Sequence, residues 1–156
     1  MSKKAIGGVL IGRFERKLDA MRRARIPSVW FALMGQPKRV VVMAHPKEKC
    51  LVLLSEAEYV AQVRQMRRQA SKSEEARQEL RILEGEVEHL DVNARHCIRI
   101  SDKWLRFAAI KERVVFSGAI RYANLWNPKL LQRNEEITDR ELEAVLKKLG
   151  FGSTDN

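Results

Sequence analysis

Two cysteines in 156 residues are too few to staple a chain of this size with a disulfide framework. Cys50 and Cys97 form no C-x-x-C pair, and both lie in apolar runs, where a buried reduced thiol is the ordinary reading. Histidine is nearly as scarce, with only His45, His89 and His96. His96 and Cys97 are neighbours in a strand-like run, so their side chains point to opposite faces and form no Cys–His pair. H-E-x-x-H, P-loop, paired-cysteine and glycine-rich dinucleotide signatures are also missing. An enzyme, a cofactor, a bound metal and a small-molecule substrate are therefore not expected. No run approaches the ~20 apolar residues of a membrane span. The apolar opening Ala5–Ile11 runs straight into Arg13, Glu15, Arg16 and Lys17 without a small-residue cleavage site. A first strand or flexible lead-in is expected there rather than a signal peptide, and a cytoplasmic location with it.

What the chain has is positive charge. Thirty Lys plus Arg stand against 20 Asp plus Glu, a net +10, while 45% of residues are hydrophobic. A soluble globular protein with a polyanionic partner is expected, either nucleic acid or an acidic membrane surface. The charge comes in blocks: net +9 over residues 1–49, −2 over 50–90, +6 over 91–134 and −3 over 135–156. That alternation suggests two equivalent binding modules rather than a diffuse cationic coat.

A repeat runs through the same blocks. Leu18-Asp19-Ala20-Met21-Arg22-Arg23, followed by Ile26, matches Leu90-Asp91-Val92-Asn93-Ala94-Arg95, followed by Ile98, at an offset of 72. Each copy continues with a candidate capping serine (Ser28, Ser101) and a Trp-containing amphipathic stretch. Strand-like runs follow at Arg39–Met43 and Arg113–Phe116, then at Cys50–Leu54 and Tyr122–Trp126. Ser55 and Asn127 then lead into helices. Between the copies, Tyr59, Val63, Met66 and Ala70 mark one helical face; Ser71-Lys72-Ser73 breaks the helix and Ser73 caps a new one reaching about Glu84. A last helix is expected from Thr138, with Leu142, Val145, Leu146 and Leu149 on one face, before a disordered tail at 152–156.

The Asp-x-x-x-Arg segments are the chemical candidates. Asp19 can close a tight turn by accepting backbone N–H groups, presenting Met21, Arg22 and Arg23 at its tip. Arg23 can fold back onto Asp19 or project as a planar donor fork for phosphate or guanine; both arrangements are open. Asp91 and Asn93 suit a turn equally well in the second copy, with Arg95 in the place of Arg23. Arg22 and Arg25 reinforce the first turn more than His96 and Arg99 reinforce the second, so the first copy is expected to dominate binding. Trp30, Phe31, Trp104 and Phe107 sit at helical spacing, which fits core packing better than base stacking. Arg64, Arg67 and Arg68 fit a solvated helix edge better than a binding site.

The opening strand, turn and Ile-Pro of Gly12–Pro27, the strand entering a helix at Cys50–Tyr59, the second signature at Asp91–Ile98, and Leu125-Trp126-Asn127 together resemble the MraZ family. The resemblance spans about residues 12–150. It implies an α+β fold: two tandem AbrB-like swapped-hairpin, β-barrel-type repeats with linker helices and a C-terminal helix. The first repeat and its following helix would occupy 1–70, a linker helix 71–84, the second repeat 85–134, and the final helix and tail 135–156. It also implies a sequence-specific, nucleoid-associated DNA-binding regulator that represses the division and cell-wall gene cluster, including its own gene, as a homo-oligomeric ring on repeated sites. Arg22, Arg23, Arg25, Asn93 and Arg95 would then contact DNA, and Asp19 and Asp91 would hold the turns. The family's turn glycine is replaced by Arg22 in the first copy and Ala94 in the second. The alternative function is an AbrB-like antitoxin or scaffold that binds an acidic protein partner. RNA is less favoured, because no aromatic RNP-like motif is present.

Overall fold

The computed structural model describes residues 9–134 and 139–151. Thr138, the tail at 152–156 and the opening up to Gly8 lie outside these residues. The chain runs β1 (Arg13–Lys17), β2 (Arg23–Arg25), α1 (Ser28–Leu33), β3 (Arg39–Ala44) and β4 (Leu51–Ser55). A helical hairpin of α2 (Glu56–Ala70) and α3 (Glu74–Gly85) follows. The series then recurs as β5 (Glu88–Asp91), β6 (Cys97–Arg99), α4 (Asp102–Ala108), β7 (Arg113–Gly118), β8 (Ala123–Trp126) and α5 (Pro128–Asn134), and α6 (Asp139–Lys148) closes the described chain.

Six strands form one antiparallel sheet in the order β1-β7-β8-β4-β3-β5, and β2 pairs with β6 in a separate two-stranded ribbon. The first strand of each half pairs in the other half: Lys17 lies opposite Arg113 and Asp91 opposite Arg39. The sheet is open, with β1 and β5 at its edges, and the expected barrel-type closure is not formed. The reason lies in the turns. After β1 and β5 the chain leaves the sheet, and the next strands pair with each other instead of extending either edge.

The elements of the two halves correspond at an offset of 74 from the turns to β3 and β7, and at 72 for β4 and β8. The loop at 45–50 is two residues longer than the loop at 119–122, which accounts for the change. Both halves bury into one core. Trp30 and Trp104, Val40 and Val114, Val42 and Phe116, Ile26 and Ile100, and Leu53 and Leu125 all belong to it. The repeat boundaries therefore mark units of sequence, not independently buried ones.

Burial on both sheet faces explains the near-continuous apolar runs of the strands. Val40, Val41 and Val42 are all buried, as are Val114, Val115 and Phe116. The helix α2 lies over β3 and β4, and α5 lies against β7. Its predicted face holds: Tyr59, Val63 and Met66 are half-buried and Ala70 is buried. Ser55 Oγ accepts the Glu58 amide at 3.1 Å and Ser73 Oγ the Ala76 amide at 3.0 Å, so both expected caps form. The expected caps at Ser28 and Ser101 do not. Ser28 lies inside α1, behind Pro27, and Ser101 donates its hydroxyl to both Glu88 carboxylate oxygens at 3.0 Å. Glu88 also accepts Trp104 Nε1 at 2.6 Å, so this carboxylate ties α4 to β5. Trp30 Nε1 donates to Ile11 O at 3.0 Å, and its ring packs edge-on against Phe14 and Phe116. Both tryptophans are buried core residues rather than stacking platforms.

Candidate nucleic-acid interface

The first turn begins where Leu18 donates its amide to Glu112 O at 2.8 Å and the chain leaves the sheet. Asp19 Oδ1 then accepts the amides of Met21 and Arg23, both at 2.8 Å. The Arg22 amide reaches Asp19 O at 2.9 Å, and the Asp19 amide reaches Arg23 O at 3.0 Å. This is a tight three-residue loop whose last residue must be left-handed, and Arg22 takes φ 63° there. Arginine accepts that strain without a glycine.

The second turn repeats this geometry, but on Asn93 rather than Asp91. Asn93 Oδ1 accepts the amides of Arg95 and Cys97 at 2.9 Å, the His96 amide reaches Asn93 O at 2.9 Å, and the Asn93 amide reaches Cys97 O at 3.0 Å. The left-handed residue is His96, at φ 65°, not Ala94. One expectation is corrected here. Asp91 ends β5 opposite Arg39 and does not close the turn. Asn93 spends its carbonyl oxygen inside the turn, as Asp19 does, and its exposed Nδ2 group makes no hydrogen bond among the described residues.

Between the turns, β2 and β6 pair as Arg23 with Arg99, Ala24 with Ile98 and Arg25 with Cys97. The pairing is symmetric about Ala24 and Ile98. It extends one bond further at each end, with the Ile26 amide on His96 O at 2.9 Å and the Ile100 amide on Arg22 O at 3.0 Å. Strand alternation sends Ala24 and Ile98 into the core and leaves Arg23, Arg25, Cys97 and Arg99 on the outer face. The turns stand at opposite ends of this ribbon.

Arg23 folds back: its Nε donates to Asp19 Oδ2 at 2.8 Å. The Arg23 amide, and with it the Arg23 guanidinium and the Met21 amide, holds the Asp19 carboxyl below the ordinary carboxylate range. One of the Arg23 donors is thus used within the turn. Arg22 and Arg25 in the first half, and Arg95 and Arg99 in the second, are exposed and make no side-chain hydrogen bond or ion pair among the described residues. Around the turns and the ribbon, each half therefore displays two unpaired arginines. Arg99 is the contact candidate that the sequence understates. Aligning the copies at 74 instead of 72 pairs it with Arg25 and would have found it.

One further cluster bears on metal binding. His45, Glu48 and Cys50 bring one potential ligand atom each to within 4.8 Å of one another. His45 Nδ1 accepts the Lys47 and Glu48 amides at 3.1 Å, which leaves the ring proton on Nε2. Burial, with Glu48 adding to it, pushes the Cys50 thiol up to about 12. A metal here would have to displace the two amide hydrogen bonds of the imidazole or its Nε2 proton, and take the proton of the thiol. Among the described residues no helix is long and apolar enough to cross a membrane. No family model and no curated protein matches the chain.

Proposed function

We propose that the chain is a sequence-specific transcriptional regulator that binds double-stranded DNA without a catalytic step. The observation that carries this reading is the outer face of the β2–β6 ribbon, where Arg25 and Arg99 lie exposed between turns bearing Arg22 and Arg95. A two-stranded ribbon fits the major groove, and unpaired arginine forks suit phosphates and guanine edges. The exchange of first strands between halves and the paired left-handed turns support the finer assignment, an MraZ-like chain of two AbrB-like swapped-hairpin repeats that represses its own gene cluster. Self-association into a ring is part of the same proposal. It is supported by α6, whose Leu142, Val145, Leu146 and Leu149 are exposed among the described residues.

The test is fluorescence polarisation with duplex from upstream of the chain's own gene over a salt series. Four arginine–phosphate contacts predict that log K falls with log[salt] at a slope of about −4. Arg22→Ala, Arg25→Ala, Arg95→Ala and Arg99→Ala should each reduce that slope by about one, or cost ~1–3 kcal/mol at one base position if the side chain reads a base. A shallow slope, or no preference over random duplex, would overturn the reading. That result would favour the second one, an AbrB-like antitoxin or scaffold that meets a protein partner through the α6 stripe and the basic blocks.

A further inference from the structure

The two halves differ beside their left-handed turn residues. In one half the His96 ring stacks on Phe31, with centroids 3.9 Å apart and planes 16° apart. At the equivalent place in the other half stand Arg22 and Leu105, and the space stays open as a cleft of about 640 Å3 between the first turn, α4 and the start of β7. Buried Leu105 and Ile110 form its apolar floor, and Arg22, Arg106 and Lys111 surround it. None of these three cations makes a side-chain hydrogen bond or ion pair among the described residues. Asp102 and Glu112 complete the rim.

We propose that this cleft binds a free mononucleotide, and that its occupant competes with DNA for Arg22; the competition rests on the DNA-binding reading above. Its volume falls in the range of ligand sites, and its lining suits the three parts of such a molecule. Guanidinium and ammonium groups take the phosphate. The Leu105–Ile110 floor takes the flat base. The two carboxylates accept hydrogen bonds from ribose hydroxyls or a ring amino group. Arg22 belongs to both the cleft and the ribbon's end, so a ligand phosphate that holds it removes one DNA contact. The pseudo-equivalent site is plugged by Phe31 and His96, so one site per chain is expected.

The experiment is calorimetric titration of the full chain with AMP at matched ionic strength, with inorganic phosphate as the control ligand. AMP should bind one site with a Kd of ~1 mM or tighter, and phosphate about tenfold more weakly or less. The double variant Arg106→Ala/Lys111→Ala, and Lys111→Gln alone, should melt like the parent chain, and the double variant should lose about tenfold or more in AMP affinity. In polarisation, saturating AMP should lower the parent's duplex affinity by about threefold or more and leave the double variant unaffected. Absence of AMP binding, equal binding of phosphate, or undiminished AMP binding in the double variant would each overturn the site. So would loss of DNA binding in the double variant without any AMP binding by the parent, which would make the cleft a backbone-phosphate contact. AMP binding that leaves duplex affinity intact would overturn the competition. AMP binding through Arg106 and Lys111 by a chain that binds no DNA would keep the site and remove the DNA-binding reading instead.

Discussion

The turn at Asp19 and the turn at Asn93 use the same set of backbone and side-chain hydrogen bonds, yet one is anchored by a carboxylate and the other by a carboxamide. The carboxylate takes a second role as the partner of Arg23. In the other half Cys97 stands where Arg23 would be, and no charge is needed at the anchor. Each half gains or lacks both members of the pair together, so the outer face ends with two unpaired arginines per half. Hydrogen-bond geometry and net charge are thus separable. Either anchor builds the turn, and the anchor's charge matters only where a neighbouring cation must be balanced.

The largest effect is expected from erasing a difference between the β-strand ends. Gly118 stands where the first half has Ala44, and a Cβ there would collide with Leu10 O and lie 2.7 Å from Ile11 Cα. Gly118→Ala should cost about 1–3 kcal/mol by forcing the 10–12 segment off β7, whereas Ala44→Ser should have little effect; urea denaturation separates the two. Next come the left-handed residues. Arg22→Gly should stabilise the fold by about 1 kcal/mol while weakening DNA binding. His96→Gly gains the same relief but loses the stack on Phe31, so its melting temperature should stay near that of the parent. If both glycine variants gain equally, the stack contributes nothing.

The smallest effect concerns pH. The Asp19 carboxyl is lowered chiefly by the Arg23 amide, so its support for the first turn is present above its ordinary value, ~4, and is lost as pH falls through the lowered folded value. The Asn93 turn has no such step. In an acid titration followed by NMR, the Met21 and Arg23 amide signals should change below about pH 4 while those of Arg95 and Cys97 do not. Asp19→Asn should abolish the difference. A parallel response of both turns would break the comparison.

Much of this arrangement was legible in the sequence. The element order, the two helix caps at Ser55 and Ser73, and the Asp19 turn follow from short-range rules, because each depends on residues within one turn of one another. The anchor of the second turn is not legible in the same way, for a physical reason. Asx turns accept Asp or Asn alike, and an Asp two residues earlier offered a closer letter match. The 72-residue register that favoured Asp91 is correct only past the longer loop at 45–50. Arg23 stayed open for another reason: a salt bridge and an outward fork have the same sequence, and only the distance to Asp19 separates them.

The sequence by itself determined that there are two copies of one unit, which residues build each turn's scaffold, and that the excess charge lies with the turns. Those features rest on local hydrogen bonding and on strand alternation, and both are written over a few residues. The tertiary structure decided where that charge is displayed. Exchange of β1 and β5 between halves, and pairing of β2 with β6, join segments at least 46 residues apart. That pairing places Arg25 and Arg99 on one face, leaves one turn plugged by Phe31 and opens a cleft beside the other. Such contacts depend on which of several compatible apolar surfaces pack together, and no local pattern specifies that choice.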